Sequence, residues 1–266
     1  MKQLLRRYVE RLPAPLPVLT HDAFVYIRYP KIRKEGRIRR RILRKTQWSG
    51  QIVQGPFRGM RYSLSSYCST ILPKLFGTYE SELAPAIEAI VGSGCDKIVD
   101  IGAAEGYYAV GLALRAPGVP IVGFEMNPSA RYFLRRLIRL NAVENRIEIR
   151  GECDAVSLAE VLDGAEHPVV ICDCEGAEDF LLDPDRIAAL RRSWVLVETH
   201  DDMVPGVSGR VRERFLETHD IEIIRNRPRT RADLPPGFDF TAEEVAEAVD
   251  EYRSWAEWLF MRPKAS

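Results

Sequence analysis

Five short apolar runs mark the second half of the chain: KIVDI (97–101), PIVGFE (120–125), RIEIR (146–150), PVVICD (168–173) and WVLVET (194–199). Each is rich in β-branched and aliphatic residues and too short for a helix, so each predicts a strand. The segments between them, about 105–116, 128–141, 155–163 and 178–192, keep a helical apolar stripe. Asn127 followed by Pro128 is a favourable helix start, an N-cap with proline at the first helical position. Regular alternation of strand and helix predicts a parallel sheet with helices on both faces. Two more strands are expected at 221–226 (IEIIRN) and 257–263 (EWLFMRP), and between them Thr241 and Glu244 form a capping box. Upstream, LPKLFGTYESELAPAIEAIV (72–91) reads as a helix carrying Leu83, Ile87 and Ile90 on its stripe, with Gly92 just past its end. Residues 47–72, a mixture of glycine, aromatic and β-branched residues, read as short strands and turns.

Composition adds bounds. A chain of 266 residues, 46% hydrophobic, can bury one large core and an appendage. No run approaches the roughly 20 apolar residues of a membrane span, and MKQLLRRYVERLPAP lacks a signal peptide's apolar centre. A cytoplasmic protein is the expectation, with peripheral contact to a membrane as the alternative. The five cysteines, Cys68, Cys95, Cys153, Cys172 and Cys174, show no metal spacing and read as reduced thiols, with Cys172 and Cys174 on one side of a strand.

Formal net charge is zero, yet Arg28 to Lys45 holds ten basic side chains and one acid, Glu35. Ile32, Ile38, Ile42 and Leu43 make Gly36 to Lys45 amphipathic. Residues 28–45 could therefore dock on an anionic membrane surface, neutralise RNA phosphates, or lie as a helix on the protein's own acidic surface. The organisation expected is a basic extension (1–46), a strand, turn and helix segment (47–94) and a main domain (95–266).

The chemistry is concentrated in VDIGAAEGYYAVGLAL (99–114), where the first strand meets a helix. In an open parallel sheet, ligands lie outside the carboxyl ends of the strands. Gly102 and Gly106 are expected to clear space for a ligand against the backbone, with helix amides behind them. Glu125, at the end of the second strand, can accept both hydroxyls of an adenosine ribose. The pattern D-x-G-x-x-x-G lacks the crowded glycines of a dinucleotide site, and an anionic Glu105 would oppose a pyrophosphate. A cationic sulfonium cofactor with an amino-acid tail suits these carboxylates better.

DIGAAEGYYAVGLA, GFEMNPSARYFLRRLIRLN and CDCEGAED together resemble the FkbM-type S-adenosylmethionine-dependent methyltransferases over about residues 77–225. The resemblance implies a Rossmann-like, seven-stranded class I methyltransferase sheet. It implies that Asp100, Gly102 and Gly106, with Ala103, line the methionine portion of the cofactor, and that Glu125, with Met126, meets the ribose. Asp154, with Ala155, matches the position that meets adenine, Asp173 completes the set, and Tyr79 and Glu80 belong to an element that closes over it. The basic N-terminus and residues 227–256 depart from the pattern.

Methyl transfer to a hydroxyl needs in-line placement and removal of a proton. Asp173 and Glu175 follow the fourth strand, and Glu198, His200, Asp201 and Asp202 the fifth. His200 is the expected general base, because an imidazole titrates near neutral pH, with Asp173 beside it and Glu175 in reserve. The blander alternative has Asp173 and Glu175 capping the next helix. A further alternative has Asp173, Glu198 and His200 holding a divalent cation that orients a diol. His21, His167 and His219 lack chemical company and read as solvated. The expected activity is O-methylation of a sugar, glycolipid or other small-molecule or glycan hydroxyl. An RNA methyltransferase using the basic arm, or a cofactor-binding protein without catalysis, are the alternatives.

Overall fold

The computed structural model describes residues 30–264 except 65, 68, 254 and 255, with side chains from Gly36 onward. His21, Tyr26, Arg28, Tyr29 and Cys68 lie outside the described residues, as does the side chain of Ile32. The described residues open with α1 (Pro30–Thr46), α2 (Ile71–Phe76) and α3 (Ala84–Gly92). Strand–helix pairs follow: β1 (Lys97–Ile101) and α4 (Tyr107–Arg115), β2 (Ile121–Phe124) and α5 (Pro128–Leu140), β3 (Ile147–Arg150) and α6 (Ala155–Leu162). Then come β4 (Pro168–Cys172), α7 (Glu178–Leu181), β5 (Trp194–Thr199), α8 (Val207–Phe215), β6 (His219–Arg225), α9 (Ala242–Val249) and β7 (Glu257–Pro263).

The seven strands form one sheet in the order β3-β2-β1-β4-β5-β7-β6. The first five are parallel, and β7 runs antiparallel to both β5 and β6. Period-two alternation sends Ile98, Ile121, Val169, Ile171 and Leu196 into one apolar layer. Val99, Ile101, Val122, Phe124, Val170, Val195 and Val197 enter the other. That double burial is why these strands read as nearly unbroken apolar runs. Register aligns the strand ends: Ile101 pairs with Phe124 and Cys172, and Cys172 with Val197. The loops after β1, β2, β4 and β5 therefore emerge side by side.

Three expected elements differ. The helix expected over 72–91 breaks at Gly77, whose φ of +70° ends α2, and a Cβ there would lie 1.9 Å from the Gln54 carbonyl oxygen. The helix expected over 178–192 stops at Leu181; Pro184 follows and excludes a continuous helix, leaving a 3-10 turn at Ala188–Arg192. Residues 47–72 contain, among the described residues, one isolated bridge between Gln51 and Arg61 rather than strands. The Asn127 cap and the Thr241–Glu244 capping box form as the sequence predicts.

The two segments that depart from the family pattern pack on each other. Helix α1 lies on α9, with Arg39 3.1 Å from Glu247, Arg41 2.6 Å from Glu244 and Lys45 2.7 Å from Glu244. Ile38 and Ile42 are buried with Phe76 and Phe240 in the main core. Burying each isoleucine stabilises the contact by roughly 1.5–3 kcal/mol, whereas a partly exposed ion pair contributes about 0–1 kcal/mol. Apolar burial thus anchors the helix, and the charges set its partner. Among the described residues, no helix is long and apolar enough to cross a membrane.

Candidate active site

The loops at the carboxyl ends of β1, β2, β4 and β5 enclose a cleft of about 1290 Å³. Its first wall is the turn after β1. Gly102 has φ +84°, and a Cβ there would lie 1.7 Å from the carbonyl oxygen of Asp173. Gly106 has φ +99°, and a Cβ would meet the Leu134 side chain at 2.5 Å. Gly102 is therefore required by the approach of the Asp173 backbone, and Gly106 by its positive φ, besides any space they leave for a ligand. Gly102, Ala103 and Ala104 still line the cleft, whereas Gly106 does not.

Asp100 is 3% exposed, and its Oδ2 has no hydrogen-bond partner. Burial, helped by the charges of Asp173 and Glu125, pushes its carboxyl up to about 7 against one backbone hydrogen bond. Glu125 is anchored through Oε2 by the Ala104 N–H at 2.9 Å and through Oε1 by the Asn127 N–H at 2.6 Å. Each oxygen keeps a further lone pair for a ligand. Met126 beside it is exposed and lines the cleft.

Glu105 plays a different part from the one its position suggested. It is buried and ion-paired with Lys74 at 2.5 Å, and it accepts hydrogen bonds from Tyr62 Oη (2.7 Å), Ser66 Oγ (2.9 Å) and the Tyr67 N–H (3.1 Å). Burial opposes its ionisation, but Lys74 and Tyr62 outweigh that and hold its carboxyl below the usual range. Its charge is neutralised inside the protein, so it exerts no selection against a pyrophosphate. It ties Tyr62, Ser66, Tyr67 and Lys74 to the turn.

On the far side Tyr79 and Glu80 close the cleft through Arg253. The guanidinium lies 2.8 Å from Glu80, 3.0 Å from Glu198 and 3.0 Å from Tyr79 Oη. Tyr108 also donates to Glu80, which is buried and adopts φ 46°. Tyr79 lines the cleft and Glu80 stands behind it.

Asp173, Glu175, Glu198 and His200 converge at the same end. His200 Nε2 is 3.6 Å from Asp173 Oδ1, and Nδ1 is 2.7 Å from Glu178 Oε1. Burial lowers the imidazole's affinity for a proton, but the Glu178 hydrogen bond and the charges of Asp173, Glu178 and Glu198 raise its pKa to about 9. The raised value favours the imidazolium at neutral pH over the neutral base expected from the sequence. Asp173 is raised to about 6, chiefly by burial and by Glu80, with His200 and Arg253 opposing. Glu198 is raised to about 9 by burial and by Asp173 and Glu80. Neither Asp173 nor Glu175 caps α7, whose N-cap is Ala177.

Asp173, Glu198 and His200 offer ligand atoms within 4.8 Å of one another. Arg253 already brings a positive charge to this group. Asp154 and Ala155 stand away from the cleft wall, and Asp154 caps α6 by accepting from the Ser157 N–H at 2.8 Å. His219, expected to be solvated, is buried and bonded to Thr218 and the Ser193 carbonyl; His167 is exposed as expected. Cys172 and Cys174 place their sulfurs 3.4 Å apart as free thiols. Sequence reasoning missed Glu178, although it is the second glutamate of the quoted CDCEGAED. It also missed Arg253, which no motif marks.

Ten carboxyl side chains line the cleft against Lys74, Arg253 and His200, so its interior is acidic.

The profile of the TRM5/TYW2 methyltransferase domain matches residues 79–220, more than half of the chain. This overturns the resemblance to the FkbM type. The glycine turn and the acid after β2 are dictated by the sheet and a nucleoside, and so do not separate one methyltransferase family from another. No curated protein matches the sequence. Among solved structures, the chain is similar to an O-methyltransferase from Bacillus cereus in complex with SAH (15% identity, 66% of this chain and 78% of that one, TM-score 0.43). It is also similar to precorrin-6y C5,15-methyltransferase from Geobacter metallireducens (15%, 66% and 88%, TM-score 0.45). A third is TYW2 from P. horikoshii in complex with MeSAdo (14%, 64% and 58%, TM-score 0.37). Likenesses at this level say nothing of substrate. The family match, on a seven-stranded sheet with its cleft at the strand ends, makes the chain a member of the TRM5/TYW2 methyltransferase domain family and an S-adenosylmethionine-dependent methyltransferase.

Proposed function

We propose that the enzyme methylates a hydroxyl on a neutral, polar acceptor such as a sugar or other polyol. The observation that carries this reading is the acidic acceptor end of the cleft, lined by Asp173, Glu175, Asp201 and Asp202 together with His200. Carboxylates accept hydrogen bonds from hydroxyls and repel phosphates, so a polyol fits and a polyanion does not.

The residues suit the cofactor. Asp100 has a buried oxygen without a partner, the acceptor that an ammonium group needs, and the free lone pairs of Glu125 suit a ribose diol. Tyr79 and Met126 supply apolar wall. When bound, S-adenosylmethionine supplies a methyl group on a positively charged sulfur. Asp173, partly exposed and raised to about 6, takes the acceptor's proton, since a base acts best with a pKa near the working pH. The His200 imidazolium, held by Glu178, orients Asp173 and keeps it ionised between turnovers.

The test is release of S-adenosylhomocysteine with a panel of neutral glycosides and polyols and, separately, with RNA transcripts. Turnover with a neutral hydroxyl supports the reading; turnover with RNA alone refutes it. RNA is the second reading because α1 carries Arg37, Arg40 and Arg44 on its exposed side. It requires binding that weakens steeply with salt.

A further inference from the structure

We propose that Lys74 recognises the carboxylate of the cofactor's amino-acid tail, with Glu105 and the rings of Tyr79 and Tyr107 holding its ammonium group in place. This concerns the cofactor end of the cleft and goes beyond the hydroxyl-acceptor reading, on which it does not depend.

The tail carries an ammonium and a carboxylate, and the cleft suits them unequally. Ten carboxyl side chains line it, so an additional anion is repelled unless a cation stands beside it. Among the described residues, three cationic side chains line the cleft: Lys74, His200 and Arg253. His200 presents its two ring nitrogens to Glu178 and Asp173. Arg253 is engaged by Glu80, Glu198 and Tyr79 Oη. Both therefore already serve carboxylates at the acceptor end. Lys74, from α2, stands instead beside the turn after β1, where Gly102, Ala103 and Ala104 form the cleft wall.

The Lys74 side chain is 4% exposed, and its Nζ lies 2.5 Å from Glu105 Oε1. The same Nζ is 4.8 Å from the ring centroid of Tyr79 and 5.3 Å from that of Tyr107. Both rings line the cleft, so the ammonium sits in its wall. An ammonium has three N–H donors, and Glu105 takes one of them. Glu105 also accepts from Tyr62, Ser66 and the Tyr67 N–H, so its negative charge is shared among four donors. Lys74 is thereby left with positive charge and donors for a second carboxylate. A buried ion pair is a poor way to stabilise a fold compared with apolar packing, and a mere tether at this turn needs no charge. Placed beside a cofactor that brings its own carboxylate, the charge has a use. With Asp100 lining the cleft from β1, the site offers an anion for one end of the tail and a cation for the other.

The probes are S-adenosylhomocysteine and its decarboxylated counterpart, which lacks only the carboxylate, each titrated by calorimetry into the full-length protein. A charged hydrogen bond predicts roughly tenfold to hundredfold tighter binding of the first. Lys74→Met combined with Glu105→Gln removes both charges together and keeps an acceptor for Tyr62, Ser66 and Tyr67. That double variant should bind the two probes equally, with its affinity for the decarboxylated one unchanged. A second readout needs no charge-removing variant: the ¹³Cε lysine resonances of the unaltered protein, with Lys74 assigned through Lys74→Arg. The Lys74 signal should move further with S-adenosylhomocysteine than with the decarboxylated probe. Equal affinities in the unaltered protein, or a Lys74 signal that answers both probes alike, would overturn the proposal. So would a preference kept by the double variant, because the carboxylate would then rest on backbone amides at the start of α4. Each of these failures leaves the hydroxyl reading intact. Methylation of RNA alone would sink that reading and leave the role of Lys74 standing.

Discussion

His200 Nδ1 lies 2.7 Å from Oε1 of Glu178, a carboxylate wholly shielded from solvent at the start of α7. A buried anion at that distance holds the ring positive and directs Nε2 toward Asp173. Proton acceptance is accordingly proposed for the aspartate rather than the histidine.

Turnover at saturating cofactor and acceptor should fall as pH drops below about 6, because Asp173 must be ionised to take a proton. A profile that rises only through about pH 9 would return the role to His200.

Asp173→Asn should lower kcat by roughly a hundredfold or more. Glu178→Gln should instead move the imidazole titration of His200, followed by NMR, downward from about 9. The linkage has a definite sign. A histidine whose folded pKa is raised from 6.5 to about 9 stabilises the fold fully below pH 6.5 and loses that contribution as pH rises through about 9. Glu178→Gln should flatten that alkaline loss in melting experiments.

Cofactor affinity should depend on Asp100. Asp100→Ala removes the unpartnered acceptor and should weaken S-adenosylmethionine binding by roughly tenfold to a hundredfold in calorimetry. Unchanged affinity would exclude Asp100 from the ammonium site.

Gly102→Ala should destabilise the fold as well as empty the site, because its Cβ meets the Asp173 carbonyl oxygen at 1.7 Å. Gly118→Ala is the control: φ there is +93°, with nothing within 4 Å of the added atom. It should cost only about 1–2 kcal/mol of backbone strain, and Gly102→Ala clearly more, by denaturant unfolding.

The sheet was legible because its strands are buried on both faces, and the caps at Asn127 and Thr241 because their chemistry is local. The break at Gly77 was not, since it answers to Gln54, more than 20 residues upstream. Asp100, Glu125, Asp173 and His200 could be placed at strand ends from spacing alone. Their protonation could not, because it depends on Glu178 and on Arg253, which enters from a segment without a motif. The basic run shows the same limit. Its acidic partner Glu244 is 199 residues from Lys45.

That partnership also predicts an asymmetry. Ile42→Ala should cost about 2–5 kcal/mol, and Arg41→Ala far less. Against its burial, hydrogen bonds from Lys45, the Thr241 N–H and Arg41 bring Glu244 down to about 2. Its contribution is present above pH 4.5 and lost as pH falls toward about 2.

The central claim is that the methyl group goes to a hydroxyl of a neutral acceptor. Its most direct test follows an isotopically labelled methyl from S-adenosylmethionine into a cell extract separated into RNA, protein, lipid and small-molecule fractions, with mass spectrometry of the product. A labelled methyl ether on a neutral polyol or glycolipid, absent with Asp173→Asn, is the predicted result. Label confined to RNA, or carried on nitrogen, would contradict it.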